Sequence, residues 1–138
     1  MIHPQLTKIG VVSSVFLLVV ALSGCGGGRD QEIHLEAQDD GKQVTLQSGQ
    51  TLTVSLEANP TTGYRWQVLQ IDPAVLEQSG EAEYKQAAGA EGLTGAGGVE
   101  TLRFEALAAG QTTLTLGYMR SWESVPPLKT FTVQVTVR

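Results

Sequence analysis

The stretch TLTVSLEANPTTGYRWQV runs from Thr51 to Val68. Its first eight residues alternate, with Leu52, Val54, Leu56 and Ala58 on one side and Thr51, Thr53, Ser55 and Glu57 on the other. A period of two marks a strand with one dry and one wet face. The alternation resumes at Tyr64, Trp66 and Val68, with Arg65 and Gln67 opposite. Between the two strands lie Asn59, Pro60, Thr61, Thr62 and Gly63. The commonest hairpin needs only a two-residue turn such as Asn-Gly. Here Pro60 fixes its own φ and drives Asn59 toward extended geometry. The Asn59 side chain can bond backbone two residues on, Thr61 and Thr62 are stiff at χ1, and Gly63 permits positive φ where the chain turns back. The composition describes a rigid, projecting tip.

The same period recurs outward from this stretch. It predicts strands in QVTLQ (Val44 and Leu46 inward), TLRFEA (Leu102, Phe104, Ala106), TTLTLGYM (Leu114, Leu116, Tyr118) and TFTVQVTV (Phe131, Val133, Val135, Val137). No sustained helical period and no internal repeat is read. Short strands separated by turn signals such as DDGK and AAGQ indicate an all-β, immunoglobulin-like antiparallel sandwich. Three stretches between strands are unusual: the first loop, the Gly- and Ala-rich run Ala87–Gly98, and RSWESVPPL from Arg120 to Leu128. Loops on a rigid scaffold are where function is sought.

The fold does not use the whole chain. Lys8 precedes an apolar run from Ile9 to Leu22, then small residues and Cys25, the sole cysteine. The run is shorter than the roughly 20 residues of a spanning helix and has the shape of an export signal. Leu22-Ser23-Gly24-Cys25 resembles the bacterial lipobox. That resemblance implies cleavage before Cys25, acylation of Cys25 and a membrane anchor through it. Residues 1–24 are thus expected to be a signal peptide, 25–31 a lipidated Cys and flexible tether, and 32–138 one domain. Gly26, and not Asp, follows Cys25, which by the sorting rule this resembles implies the outer membrane in a Gram-negative cell. The leader carries Lys8 and no acid, so the remainder is more acidic than the whole chain's net charge of −5. This argues against nucleic acid as a partner.

The sequence argues against an enzyme. Beyond the leader stands one histidine, His34, and no thiol remains once Cys25 is acylated. A Ser-His-Asp site or a Cys/His metal cluster would need more. Glu81, Glu83 and Glu100 read as the polar faces of strands. GAGG lacks the Lys-Ser/Thr of a phosphate loop. No metal and no cofactor is expected.

Taken in order, NPTTGY (Asn59 to Tyr64), GAGG (Gly95, Ala96, Gly97, Gly98) and RSW (Arg120 to Trp122) resemble the motifs of the chagasin family of cysteine peptidase inhibitors: NPTTG plus an aromatic, then GxGG, then RPW or RPF. Ser121 stands where that pattern has Pro, which removes a φ lock and predicts a looser third loop. The resemblance covers about Thr45 to Arg138. It implies an immunoglobulin-like sandwich of about eight strands whose three loops fill the cleft of a papain-like cysteine peptidase. Thr61 and Thr62 would cover the catalytic thiolate, GAGG would offer backbone along the non-primed side, and Trp122 would pack on the primed side. A reversible inhibitor follows, expected to be monomeric. The competing reading is a lipid-anchored binding module for a sugar or protein, with Tyr118 and Trp122 as a carbohydrate platform. Tyr64 is expected to anchor the base of the first loop and Trp66 to sit in the core.

Overall fold

The computed structural model describes residues 31–138, so the expected signal peptide, Cys25 and nearly all of the tether lie outside the described residues. Among the described residues nine strands form: β1 (Ile33–Glu36), β2 (Gln43–Leu46), β3 (Thr51–Ala58), β4 (Arg65–Gln70), β5 (Leu76–Gln78), β6 (Glu83–Gln86), β7 (Gly98–Ala106), β8 (Gly110–Met119) and β9 (Lys129–Val137). One sheet runs β1-β3-β7 and continues to β5 and β6, which pair end to end along the same edge of β7; the other runs β2-β9-β8-β4. The alternation in the sequence becomes the core. Leu52, Val54, Leu56 and Ala58 of β3 face Leu114, Leu116, Phe131, Val133 and Val135 of the opposite sheet, all buried. Trp66 is 6% exposed and its Nε1–H donates to the Glu57 carbonyl at 2.9 Å, so the ring is core and its polar atom is paired.

The sandwich is mixed, where antiparallel sheets were expected. β1 pairs parallel with β3, and β2 parallel with β9. The chain crosses from one sheet to the other through a 3₁₀ turn at Ala37–Asp39, and the crossing is pinned. Gly41 N–H donates to the Thr132 carbonyl at 2.7 Å, and Thr132 N–H donates to Asp40 Oδ1 at 2.7 Å. β1, β5 and β6 were not read from the sequence. They have three or four residues each, too few for a period of two to stand out.

Strand direction sets what lies at each end. β3 runs toward Asn59, β7 leaves from Gly98, and β8 runs toward Arg120 antiparallel to β4 and β9. The three unusual stretches therefore meet at one end. Ile33 pairs with Leu52, six residues before Ala58, so the chain enters about 20 Å away, at the opposite end.

Candidate functional site

The first loop is built as its residues dictate. Asn59 is extended (φ −138°, ψ 88°), Pro60–Thr62 form one 3₁₀ turn, and Gly63 takes φ 82°, a region that disfavours any side chain. Thr62 N–H donates to the Asn59 carbonyl at 3.2 Å, and Gly63 N–H to the Pro60 carbonyl at 3.0 Å. Thr62 Oγ1 donates to the Asn59 carbonyl and Thr61 Oγ1 to Asn59 Oδ1, both at 2.6 Å. The Asn59 side chain does not make the expected bond to backbone two residues on. It accepts from the Thr61 hydroxyl and donates from Nδ2 to the Gly95 carbonyl at 2.9 Å, lacing the first loop to the second. Asn59 N–H donates to the Tyr118 hydroxyl at 2.8 Å.

The second loop holds a repeat that the sequence reading missed. Gly89, Gly92 and Gly95 recur every third residue, each at φ near +81°. Ala90 N–H donates to the Ala87 carbonyl (3.1 Å), Leu93 to Ala90 (3.0 Å) and Ala96 to Leu93 (3.4 Å). Three successive turns share corners, each with glycine at the third position, as a type II turn demands. The loop is thus a ribbon of turns. Gly98 does not belong to it: it opens β7, opposite Ala58 and Gln86. A Cβ there would stand 2.2 Å from the Lys85 carbonyl oxygen. Sheet packing by itself is enough to require that glycine, which stands at the loop end of β7 opposite Ala58.

In the third loop Arg120 faces its own protein. Its Nε donates to the Thr62 carbonyl at 2.9 Å, its Nη1 to Glu123 Oε1 at 2.9 Å, and its guanidinium lies 4.4 Å above the Tyr64 ring. The Glu123 hydrogen bond also stabilises its charged form. Tyr64 stacks on Tyr118 (5.5 Å), and Tyr118 on Trp66 (5.2 Å), so an aromatic column leads from Arg120 down into the core. Trp122 is 69% exposed, yet its edge rests on the first loop. A Cβ at Gly63 would lie 2.5 Å from Trp122 Cη2. Tyr118 is only 8% exposed, so it forms no platform with Trp122.

Glu100 was expected on a wet face and lies instead on the core row of β7, 1% exposed. Its two oxygens accept from Arg65 Nε (2.7 Å) and from Trp66 N–H (2.9 Å). It ties the strand that leaves the first loop to the opposite sheet. The signal was present: Glu100 is two residues before Leu102, in the same alternation. Glu83 is an exposed partner of Arg103 at 2.9 Å, and His34 is exposed in β1. Among the described residues no cluster of His, Cys, Asp and Glu has the arrangement of a metal site.

The predicted residues Asn59, Pro60, Thr61, Thr62, Gly63, Tyr64, Gly95, Ala96, Gly97, Gly98, Arg120 and Trp122 thus converge on one end of the sandwich. The tip offers hydroxyls, backbone and one large aromatic, on loops joined by hydrogen bonds from Asn59 and Arg120.

Comparison with known proteins places this arrangement. Residues 45–137 match the family described as "Chagasin family peptidase inhibitor I42". Amoebiasin-1 of Entamoeba histolytica is 29% identical over 104 residues, covering 75% of this chain and 98% of the relative. Chagasin of Trypanosoma cruzi is 32% identical over 87 residues, covering 60% of this chain and 76% of the relative. The crystal structure of the cysteine protease inhibitor EhICP2 from Entamoeba histolytica superposes with a TM-score of 0.71 at 26% identity, over 81% of this chain and 100% of that one.

Proposed function

The chain belongs to the chagasin family of peptidase inhibitors and is an inhibitor of cysteine peptidases; we propose that it fills the cleft of a papain-like enzyme with its three loops, reversibly and without covalent chemistry. The observation that carries this reading is the lacing of the loops. Asn59 ties the first to the second and Arg120 the third to the first. A surface already in its bound shape loses little freedom on association. A substrate is cut when its carbonyl carbon is held for attack. In this reading Thr61 and Thr62 occupy that place with no carbonyl in line, so the enzyme is blocked and the loop survives. Gly95, Ala96 and Gly97 offer backbone to one side of the catalytic pair, and Trp122 packs on the other. The chain acts as an inhibitor and not as a catalyst.

We also propose export, cleavage before Cys25 and lipid anchoring at that residue to the cell envelope, the outer membrane in a Gram-negative cell. The fold is compatible with this, because β1 enters at the end opposite the loops. An anchor there leaves the loops pointing away from the membrane. The deciding experiment is steady-state inhibition of papain and related enzymes, followed by dilution and mass spectrometry. Inhibition that reverses, with intact loops, is expected. Cleavage at Thr61-Thr62, activity that never returns, or no inhibition of any papain-like enzyme would overturn the reading.

A further inference from the structure

We propose that Leu69, Gly117 and Pro127 form a remote clasp that positions the third loop, and through it Trp122, taking over the rigidity that a proline at 121 would give. The inference rests on the reading that Trp122 contacts the peptidase. None of the three residues lies in the loop motifs.

The connection from Arg120 to Leu128 is long for a hairpin, where two to five residues are usual. Leu128 N–H donates to the Tyr118 carbonyl at 2.9 Å and closes its base. From Ser121 to Leu128 all residues are exposed except Glu123 and Pro127. These two are its anchors. Glu123 N–H donates to the Arg120 carbonyl at 3.2 Å, making a turn with Ser121 at its second position, and its carboxylate accepts from Arg120 Nη1. Pro127 holds the other limb. It lies over Gly117, on the outward row of β8 between Gln67 of β4 and Thr130 of β9. A Cβ at Gly117 would stand 2.6 Å from Leu69 Cδ1 and 3.0 Å from Pro127 Cγ. The absent side chain makes a trough that takes both. The register of β4 shifts between Val68 and Gln70, and the bulge sets Leu69 over that trough.

The clasp therefore pins the limb that returns to β9, while Arg120 pins the limb that leaves β8. Trp122 lies between two fixed points although its neighbour is Ser121. The three are positioning residues: they act on the peptidase through the loop.

The test uses the full chain and two readouts. Trp122 and the 6%-exposed Trp66 are the two tryptophans, so emission quenched by acrylamide reports Trp122. Pro127→Ala and Gly117→Ala are expected to lower the anisotropy of that emission. They should raise the inhibition constant for papain roughly two- to tenfold, the loss when a side chain must be ordered on binding. Ser121→Pro added to Pro127→Ala should restore both. Unchanged anisotropy in Pro127→Ala overturns the clasp, as does lowered anisotropy without loss of inhibition, or failure of Ser121→Pro to rescue. Should Gly117→Ala not fold, Pro127→Ala at its partly exposed site carries the test. If the wild type inhibits no papain-like enzyme, the inhibitor reading fails, and the anisotropy still decides whether the clasp exists.

Discussion

The two tryptophans should fail in opposite ways when removed. Trp122 is 69% exposed and Trp66 is 6% exposed. Aromatic side chains bury about 150–250 Å²; taking the upper value for tryptophan leaves about 170 Å² of Trp122 for a partner. At about 25 cal/mol per Å² this bounds its contribution near 4 kcal/mol. Holding one side chain still costs about 0.5–1.5 kcal/mol, and Gly63 and the fixed loop have already met part of that. Trp122→Ala should therefore weaken inhibition by about 2–3 kcal/mol, a roughly 30- to 150-fold rise in the inhibition constant. Its melting temperature should hardly move, because little of the ring is buried in the free protein. Trp66→Ala should cost about 3–5 kcal/mol of stability, since it opens a core cavity and removes the bond to the Glu57 carbonyl. The assay is a papain inhibition constant beside a melting curve for each variant. A folded Trp122→Ala protein that inhibits as wild type does would refute the reasoning, because that ring would then stay in water in the complex.

Replacing Thr61 and Thr62 by bulky charged residues should abolish inhibition and leave the sandwich folded; normal folding with normal inhibition would place the first loop outside the cleft. Ser121→Pro should raise folding stability modestly, by about 0.4–1 kcal/mol in a melting curve, since residue 121 is second in the turn closed by Glu123 N–H on the Arg120 carbonyl and that position favours proline; the inhibition constant of the otherwise wild-type chain should hardly change, because the clasp already holds the loop. Glu100→Ala should lower stability by about 1–3 kcal/mol, the cost of leaving the buried Trp66 N–H unpaired, measured by denaturant unfolding; an unchanged midpoint would show the bond is dispensable. A hydrogen bond from Arg103 holds the Glu83 carboxyl below the ordinary glutamate range, and one from Lys42 does the same for Asp39. Their stabilisation is complete above the ordinary carboxylate pKa and is lost as pH falls through the lowered values, so Glu83→Gln should flatten the acid limb of a melting profile; an identical profile would count against that pair.

What the sequence determined by itself was whatever a short stretch can encode. Alternation along Thr51–Ala58 and Phe131–Val137 named the buried faces, because a period of two leaves each side chain no choice of face. Asn59-Pro60-Thr61-Thr62-Gly63 announced a stiff tip, because Pro60 and Gly63 act on their own dihedrals. Even the glycines at 89, 92 and 95 and the inward Glu100 were legible, though they were read as a Gly-rich loop and a polar face. The tertiary structure alone decided who meets whom. β1 and β2 are four residues each, and their parallel pairing depends on β3 and β9, to which a four-residue pattern gives no address. The bond from Asn59 to the Gly95 carbonyl spans 36 residues, the bond from Arg120 to the Thr62 carbonyl 58, and Pro127 reaches Leu69 only across Gly117. Local rules act through dihedrals and neighbours along the chain. Contacts at such separations exist only once the two sheets have packed and brought the three loops to the same end.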